Sequence, residues 1–308
     1  MPIVKTDVPM TYGLCHETIE KIVEAYPVCS SRSIGTTAFG REIEAMAIGS
    51  GGRTVLFTAA HHANEWITAT VLLKFAEELS RAILEKGQVY GIPANLFEEN
   101  CQIFLVPMVD PDGVDLVTGG IAQGSIQWEQ AKRLSNNCPS VPFPNGWKAN
   151  LLGVDLNLQY PAGWLQAREI KFSQGYTRPG PRDYVGKAPL TQRESRALAD
   201  FTNYLDPALI LAYHTQGEQI YWKYDDIDVP GALALGQEFA RLSGYSLEET
   251  PYASGFAGYK DWFIKVWRRP GFTIEAGLGE NPLPISQFDT IYAKNLGILT
   301  TAALGLPA

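Results

Sequence analysis

Four short, mainly apolar runs recur along the chain, separated by polar and amphipathic stretches. The runs cover residues 53–60, 101–109, 208–213 and 272–276. Runs of this length without regular polar alternation are typical of strands that are buried on both faces of a sheet. The pattern therefore predicts four strands at the centre of a covered sheet.

Segments with helical periodicity alternate with these runs. The predicted helices cover residues 13–26, 66–86, 191–205, 231–243, 257–267 and 285–304. Thr191 is followed three residues later by Glu194, which is the spacing of a capping box and predicts Thr191 as an N-cap. Strands that alternate with helices in this way form mainly parallel sheets.

Shorter segments complete the outline. Two further strands are predicted at residues 31–36 and 41–48, joined by a turn at residues 39–41. Residues 110–113 (DPDG) are interpreted as a turn, and residues 119–151, where prolines are frequent, as irregular.

We therefore expect an α/β fold: one mixed, mainly parallel, twisted sheet with helices on both faces. The 308 residues are predicted to form a single domain, residues 1–308, with the N-terminal helix and hairpin (1–50) integral to it. The long loops follow the carboxyl ends of buried strands, where open α/β sheets place their active sites.

Composition narrows the classes of function and partner. The formal net charge of −8 argues against a general nucleic-acid-binding protein, which would need a basic face. The sequence has no apolar stretch of about 18 residues that would predict a membrane span. The first 13 residues lack the apolar core of a secretory signal, so we expect a cytoplasmic protein. The oligomeric state is left open.

The four cysteines, Cys15, Cys29, Cys101 and Cys138, show no C-x-x-C spacing. Because a cytoplasmic chain keeps its thiols reduced, free thiols are predicted. A disulfide between Cys15 and Cys29 is the alternative.

Histidine and glutamate side chains lie at the ends of three of the apolar runs. His61, His62 and Glu65 follow the first run, His214 follows the third, and Glu275 lies within the fourth. Two histidines and one glutamate form a common ligand set for hydrolytic zinc, and a further carboxylate then serves as general base. Either histidine of the 61–62 pair could join Glu65. Since strand alternation points them to opposite sides, only one is expected to bind metal.

Six segments, in order along nearly the whole chain, resemble motifs of the zinc metallocarboxypeptidases of the carboxypeptidase A/T superfamily. They are residues 33–43, 62–68 (HANEWIT), 109–113 (VDPDG), 153–157 (GVDLN), 214 and 272–275 (FTIE). The resemblance implies a carboxypeptidase-like fold and one Zn²⁺ per chain, bound by His62, Glu65 and His214. It also implies Glu275 as the general base.

The resemblance assigns further roles around the metal. Asp155 would accept a hydrogen bond from a ligand histidine, with His62 as the expected partner. Tyr252 matches a mobile substrate-binding tyrosine, ten residues before Trp262. Lys148, which follows a tryptophan, would take the place of an arginine that stabilises the oxyanion, with a solvated surface lysine as the alternative.

One departure from the family changes the expected substrate. Where the family has N-R-N, this chain has Asn157, Leu158 and Gln159. The arginine that binds the substrate's C-terminal carboxylate is thus replaced by Leu158, which argues against a C-terminal exopeptidase. Asn157 remains a candidate substrate-binding residue.

The altered pattern resembles the bacterial γ-D-glutamyl-diamino acid endopeptidases, most specifically in residues 214–222 (HTQGEQIYW). This resemblance implies a zinc metallopeptidase that cleaves the bond between γ-D-glutamate and a diamino acid, usually meso-diaminopimelate, in peptidoglycan stem peptides. Recycling of cell-wall peptides is the expected setting. The alternative is a zinc carboxypeptidase or amidohydrolase of the same superfamily that acts on other peptides.

The substrate's charges suggest further contacts. Lys260 is expected to pair with a carboxylate of diaminopimelate, with a helix-surface lysine as the alternative. Glu218 or Asp261 would meet the ammonium group, and Tyr221 would line the pocket.

Overall fold

A mixed sheet of eight strands lies at the centre of the protein, which is described by a computed structural model over residues 2–305. The described residues contain ten strands in all: β1 (Cys29–Thr36), β2 (Glu42–Ile48), β3 (Arg53–Thr58), β4 (Gln88–Val89), β5 (Ile92–Pro93), β6 (Cys101–Val106), β7 (Leu209–His214), β8 (Gln219–Tyr221), β9 (Ser246–Glu248) and β10 (Gly271–Glu275). The order across the main sheet is β1-β2-β6-β3-β7-β10-β8-β9, while β4 and β5 form a separate pair. The four predicted central strands are β3, β6, β7 and β10, and they are parallel neighbours.

Ten α-helices surround the strands in the described residues 2–305. They are α1 (Tyr12–Ala25), α2 (Ile67–Leu84), α3 (Asn95–Asn100), α4 (Pro111–Thr118), α5 (Ile126–Ser135), α6 (Trp164–Ser173), α7 (Arg193–Leu205), α8 (Ala232–Ser243), α9 (Tyr259–Trp267) and α10 (Phe288–Leu304). All six predicted helices are present, with ends shifted by up to three residues.

The helices cover both faces of the sheet. Phe57 of β3 contacts Phe75 of α2, with ring centroids 6.4 Å apart. Phe57 is paired with Leu105, so the adjacent Phe104 points to the opposite face, where it contacts Phe201 of α7. The two-sided packing explains why the central strands are almost wholly apolar, and it confirms the predicted α/β fold class.

The N-terminal hairpin extends the main sheet. β1 and β2 pair antiparallel, and β2 pairs with β6 through Met46 and Leu105. Helix α1 contacts α2 and β1. Residues 12–48 therefore pack on the same core as the central strands.

Three sequence predictions were wrong. The DPDG segment is a helix start rather than a turn, because Asp110 caps α4 by accepting from Gly113 N (3.0 Å) and proline suits the first helical position. Helix α5 lies inside the segment predicted to be irregular, with Ser125 as its N-cap. Thr191 is not a cap: α7 starts after Gln192, and the Thr191 hydroxyl donates to Gln159 Oε1 instead.

The four cysteines are free thiols, as predicted. Within residues 2–305, no helix combines the length and the apolar composition that crossing a membrane requires.

Candidate metal centre

The candidate ligands lie where three parallel strands end. β3, β7 and β10 are neighbours, so their carboxyl ends meet at one edge of the sheet. His214 and Glu275 are the last residues of β7 and β10, and they are paired in register. The backbone N–H of Ala276 donates to the carbonyl of His214 at 2.8 Å, which fixes the two strand ends together.

A short 3₁₀ turn, Ala63–Glu65, brings His62 and Glu65 together after β3. Thr68 holds this turn: its hydroxyl donates to the carbonyl of Glu65 (2.7 Å) and accepts from the N–H of Ala60 (3.0 Å). The three-residue spacing then places His62 Nδ1 2.9 Å from Glu65 Oε1.

His214 completes a buried cluster with these two residues. Its Nδ1 lies 2.9 Å from Glu65 Oε2 and 3.2 Å from His62 Nδ1. In a tetrahedral zinc site with bonds of about 2.0–2.2 Å, ligand atoms lie about 3.3 Å apart. Two imidazole nitrogens and a carboxylate at this spacing fit Zn²⁺, so the three predicted ligands are placed together.

Asp155 lies behind His62, with Oδ1 3.2 Å from His62 Nε2. It is itself held by the backbone N–H groups of Asn157 (3.1 Å) and Asp183 (3.3 Å). A carboxylate at one ring nitrogen fixes which nitrogen faces the cluster. Burial alone would lower the pKa of His62, but Glu65 and Asp155 outweigh it and raise that pKa to about 9.

His61 lies outside the cluster. It is fully buried, its ring stacks on that of His214 with centroids 5.4 Å apart, and its Nε2 lies 3.5 Å from the hydroxyl of Tyr160. The structure thus brings His62, and not His61, to Glu65.

Two cavities open beside the cluster. The first has a volume of about 370 Å³ and is lined by His62 and by residues of the 157–158 and 258–261 segments. The second, of about 970 Å³, extends past Asn64 towards the 140–146 and 279–282 segments. Their common wall is formed by four residues: Lys148, Arg182, Tyr221 and Glu275.

Glu275 and Lys148 lie together in this common wall. Burial raises the pKa of Glu275, and the charge of Glu65 raises it further, to about 8, against the opposing effect of Lys148. Lys148 Nζ lies 3.6 Å from Glu65 Oε1. Burial alone would lower the pKa of Lys148, but Glu65 and Asp155 more than offset it and raise that pKa, so the ammonium form is favoured. A carboxyl group that exchanges its proton near neutral pH suits general acid–base chemistry.

Three further residues named from the sequence lie at the cavities. Asn157 Nδ2 is 3.5 Å from His214 Nε2, while its Oδ1 accepts from the N–H of Tyr259. Tyr221 lines both cavities, and its hydroxyl donates to Gln219. Leu158 lines the first cavity and is otherwise buried in an apolar cluster, so it offers no group for a carboxylate.

The other predicted substrate contacts are less well placed. Lys260 lines the first cavity, but its three donors already face Lys223 O, Thr250 Oγ1 and Asp261 Oδ1, so the geometry does not favour a substrate carboxylate there. Tyr252 is 68% exposed and lines a neighbouring groove that shares Thr250 with the first cavity.

Glu218 is not brought to the cavities either. It lines neither of them and forms an ion pair with Lys294 of α10 at 2.6 Å. Its carboxylate is therefore engaged away from the cluster.

A charged group that sequence reasoning missed lines the first cavity together with Glu275. Asp183 pairs with Lys171 (2.7 Å) and with Arg182 (2.5 Å), and all three line the first cavity. The only sequence signal is an Arg-Asp pair in a proline- and glycine-rich loop, which is too common to indicate a site.

Comparison with known proteins agrees with this geometry. Residues 15–296 match the family model described as zinc carboxypeptidase. The chain is 42% identical, over 93% of its length and 70% of the relative's, to a protein of Lysinibacillus sphaericus named γ-D-glutamyl-L-diamino acid endopeptidase 1. It is 26% identical to bovine carboxypeptidase B, over 83% of this chain and 60% of that protein.

Among solved structures, bovine thrombin-activatable fibrinolysis inhibitor in complex with tick carboxypeptidase inhibitor superposes with a TM-score of 0.73. That match covers 97% of each chain at 17% identity, and it shows a shared fold. Fold, family match and the buried His-Glu-His group agree. This chain belongs to the zinc carboxypeptidase family.

Proposed function

We propose that this protein is a zinc-dependent endopeptidase that hydrolyses the bond between γ-D-glutamate and a diamino acid in peptides derived from peptidoglycan. One Zn²⁺ per chain would be held by His62, Glu65 and His214. The observation that carries the proposal is a buried His-Glu-His group with Glu275 beside it, while Leu158, which the resemblance aligns with the carboxylate-binding arginine, lines the first cavity. The name of the Lysinibacillus relative supports the same specificity.

The chain's own residues account for the proton transfers. Bound zinc would polarise the scissile carbonyl and acidify a water molecule. Glu275 accepts the proton of the attacking water and delivers it to the leaving amine of the diamino acid. Lys148, in the same wall, stabilises the negative charge that develops on the carbonyl oxygen. Asp155 keeps His62 oriented throughout.

Substitution of Lys148 separates this role from simple binding. In Lys148→Met, we expect kcat to fall by about 10²- to 10³-fold with little change in KM, because the charge it stabilises exists only in the transition state. Lys148→Arg should retain more activity. Steady-state kinetics checks this, with exposed Lys187→Met as the control. A change confined to KM would contradict the role.

The linkage preference tests the proposed substrate against the carboxypeptidase alternative. We expect kcat/KM for L-Ala-γ-D-Glu-meso-diaminopimelate to exceed that for the matched α-linked peptide by at least about 100-fold. Simple peptides with a free C-terminal residue should be poor substrates, since they lack the γ-linked glutamate that the site is proposed to select. Faster cleavage of the α-linked peptide would favour the carboxypeptidase alternative. Cytoplasmic location and the lack of nucleic-acid and membrane partners remain predictions.

A further inference from the structure

The cations at the first cavity differ in what they already bind. Lysines 148, 171 and 260 and Arg182 line it. Lys171 pairs with Asp183, Lys260 donates two hydrogen bonds and forms an ion pair with Asp261, and Lys148 lies beside Glu65. Within residues 2–305, Arg182 makes its one side-chain hydrogen bond through Nε, to Asp183. Its two terminal nitrogens are therefore left for another partner.

The backbone on either side of Arg182 is hydrogen-bonded to segments that carry Lys148 and Asp155. The carbonyl of Pro181 accepts from the N–H groups of Lys148 (2.8 Å) and Ala149 (2.9 Å). On the other side, Asp183 N donates to Asp155 Oδ2, the carboxylate behind His62. Arg182 is thus held at a fixed position relative to the metal ligands.

The charge balance also suits an anion. Asp183 is shared by Lys171 and Arg182, so these three groups carry a net charge of +1. The Arg182 side chain is 40% exposed, and it lies in the wall common to both cavities. A guanidinium held at Nε presents a planar pair of N–H donors that matches both oxygens of a carboxylate.

We propose that Arg182, positioned by Asp183, binds a free substrate carboxylate next to the scissile amide and so takes over the task that Leu158 cannot perform. This inference rests on the proposed function. A γ-linked glutamate leaves its α-carboxylate free, and diaminopimelate carries carboxylates on the leaving side. Both sources share one chemistry, and substrate variants distinguish them.

The test measures peptide binding by calorimetry to zinc-loaded protein carrying Glu275→Gln, which stops turnover. Three peptides are compared: L-Ala-γ-D-Glu-meso-diaminopimelate, the same peptide with the glutamate α-carboxylate amidated, and the same peptide with the diaminopimelate carboxylates amidated. We expect one amidation to weaken binding by about 10- to 100-fold, the size of a lost charge-assisted pair.

In the Arg182→Gln background, the acid peptide should bind about as weakly as that amidated peptide, and the amidation should no longer matter. Arg182→Lys should restore little, because an ammonium lacks the paired donors. Exposed Arg178→Gln, in the same loop, is the matched control. Unchanged affinity in Arg182→Gln, or an equal loss for all three peptides, would overturn the inference.

Turnover by the protein with Glu275 intact reports on the proposed function separately. If that protein cleaves the acid peptide but Arg182→Gln leaves affinity unchanged, only the Arg182 inference fails. If carboxylate discrimination depends on Arg182 but no peptide is cleaved, only the proposed reaction fails.

Discussion

Glu275→Gln is expected to abolish most turnover while leaving zinc binding intact. The amide keeps the shape of the side chain but cannot accept the proton of the attacking water, so kcat should fall by about 10²- to 10⁴-fold. Glu275 lies in the cavity wall and is not one of the three clustered ligands, so zinc content should stay near one per chain. Steady-state kinetics and elemental analysis measure the two quantities.

A matched substitution shows whether the effect is specific. Glu24→Gln, on the exposed side of α1, removes the same charge far along the chain from the site and should leave kcat unchanged. Near-normal turnover by Glu275→Gln, with zinc bound, would contradict the assignment of Glu275 as general base.

His214→Ala is expected to lose the metal as well as the activity. Removing the imidazole deletes one of three ligands and leaves Glu65 Oε2 without its 2.9 Å partner. Zinc content should fall well below one per chain, and turnover should fall to the level seen after chelation. His16→Ala is the control, because His16 lies on α1 and pairs with Glu44. Full zinc occupancy in His214→Ala would show that the ligand set is wrong.

The sequence indicated the centre of the fold better than its periphery. The strands β3, β6, β7 and β10 are buried on both faces, so burial leaves an unbroken apolar run that can be recognised from sequence. Helix α5 has only Trp128 and Ala131 buried, so its apolar periodicity is weak. The wrong prediction of Thr191 as an N-cap has a different cause. The Thr191 hydroxyl donates to Gln159, 32 residues earlier, and the local spacing of residues cannot indicate that partner.

The residues of the site also differ in how far the sequence could predict their positions. His62 and Glu65 are three residues apart on one turn, and His214 and Glu275 end neighbouring strands, so local pattern and sheet topology together indicate their meeting. The carboxylate of Glu218 pairs with Lys294, 76 residues later, and the sequence of neither segment predicts that ion pair. The role of Arg182 likewise becomes visible only when the fold shows which cations are already paired.

The most direct test of the proposed activity is mass spectrometry of the products formed from L-Ala-γ-D-Glu-meso-diaminopimelate by the zinc-loaded protein. We expect L-Ala-D-Glu and free meso-diaminopimelate as the products, with ¹⁸O from labelled water in the new glutamate γ-carboxylate. A chelator should stop the reaction and added zinc should restore it. Cleavage at another bond, or cleavage that chelation does not affect, would contradict the proposed zinc-dependent activity.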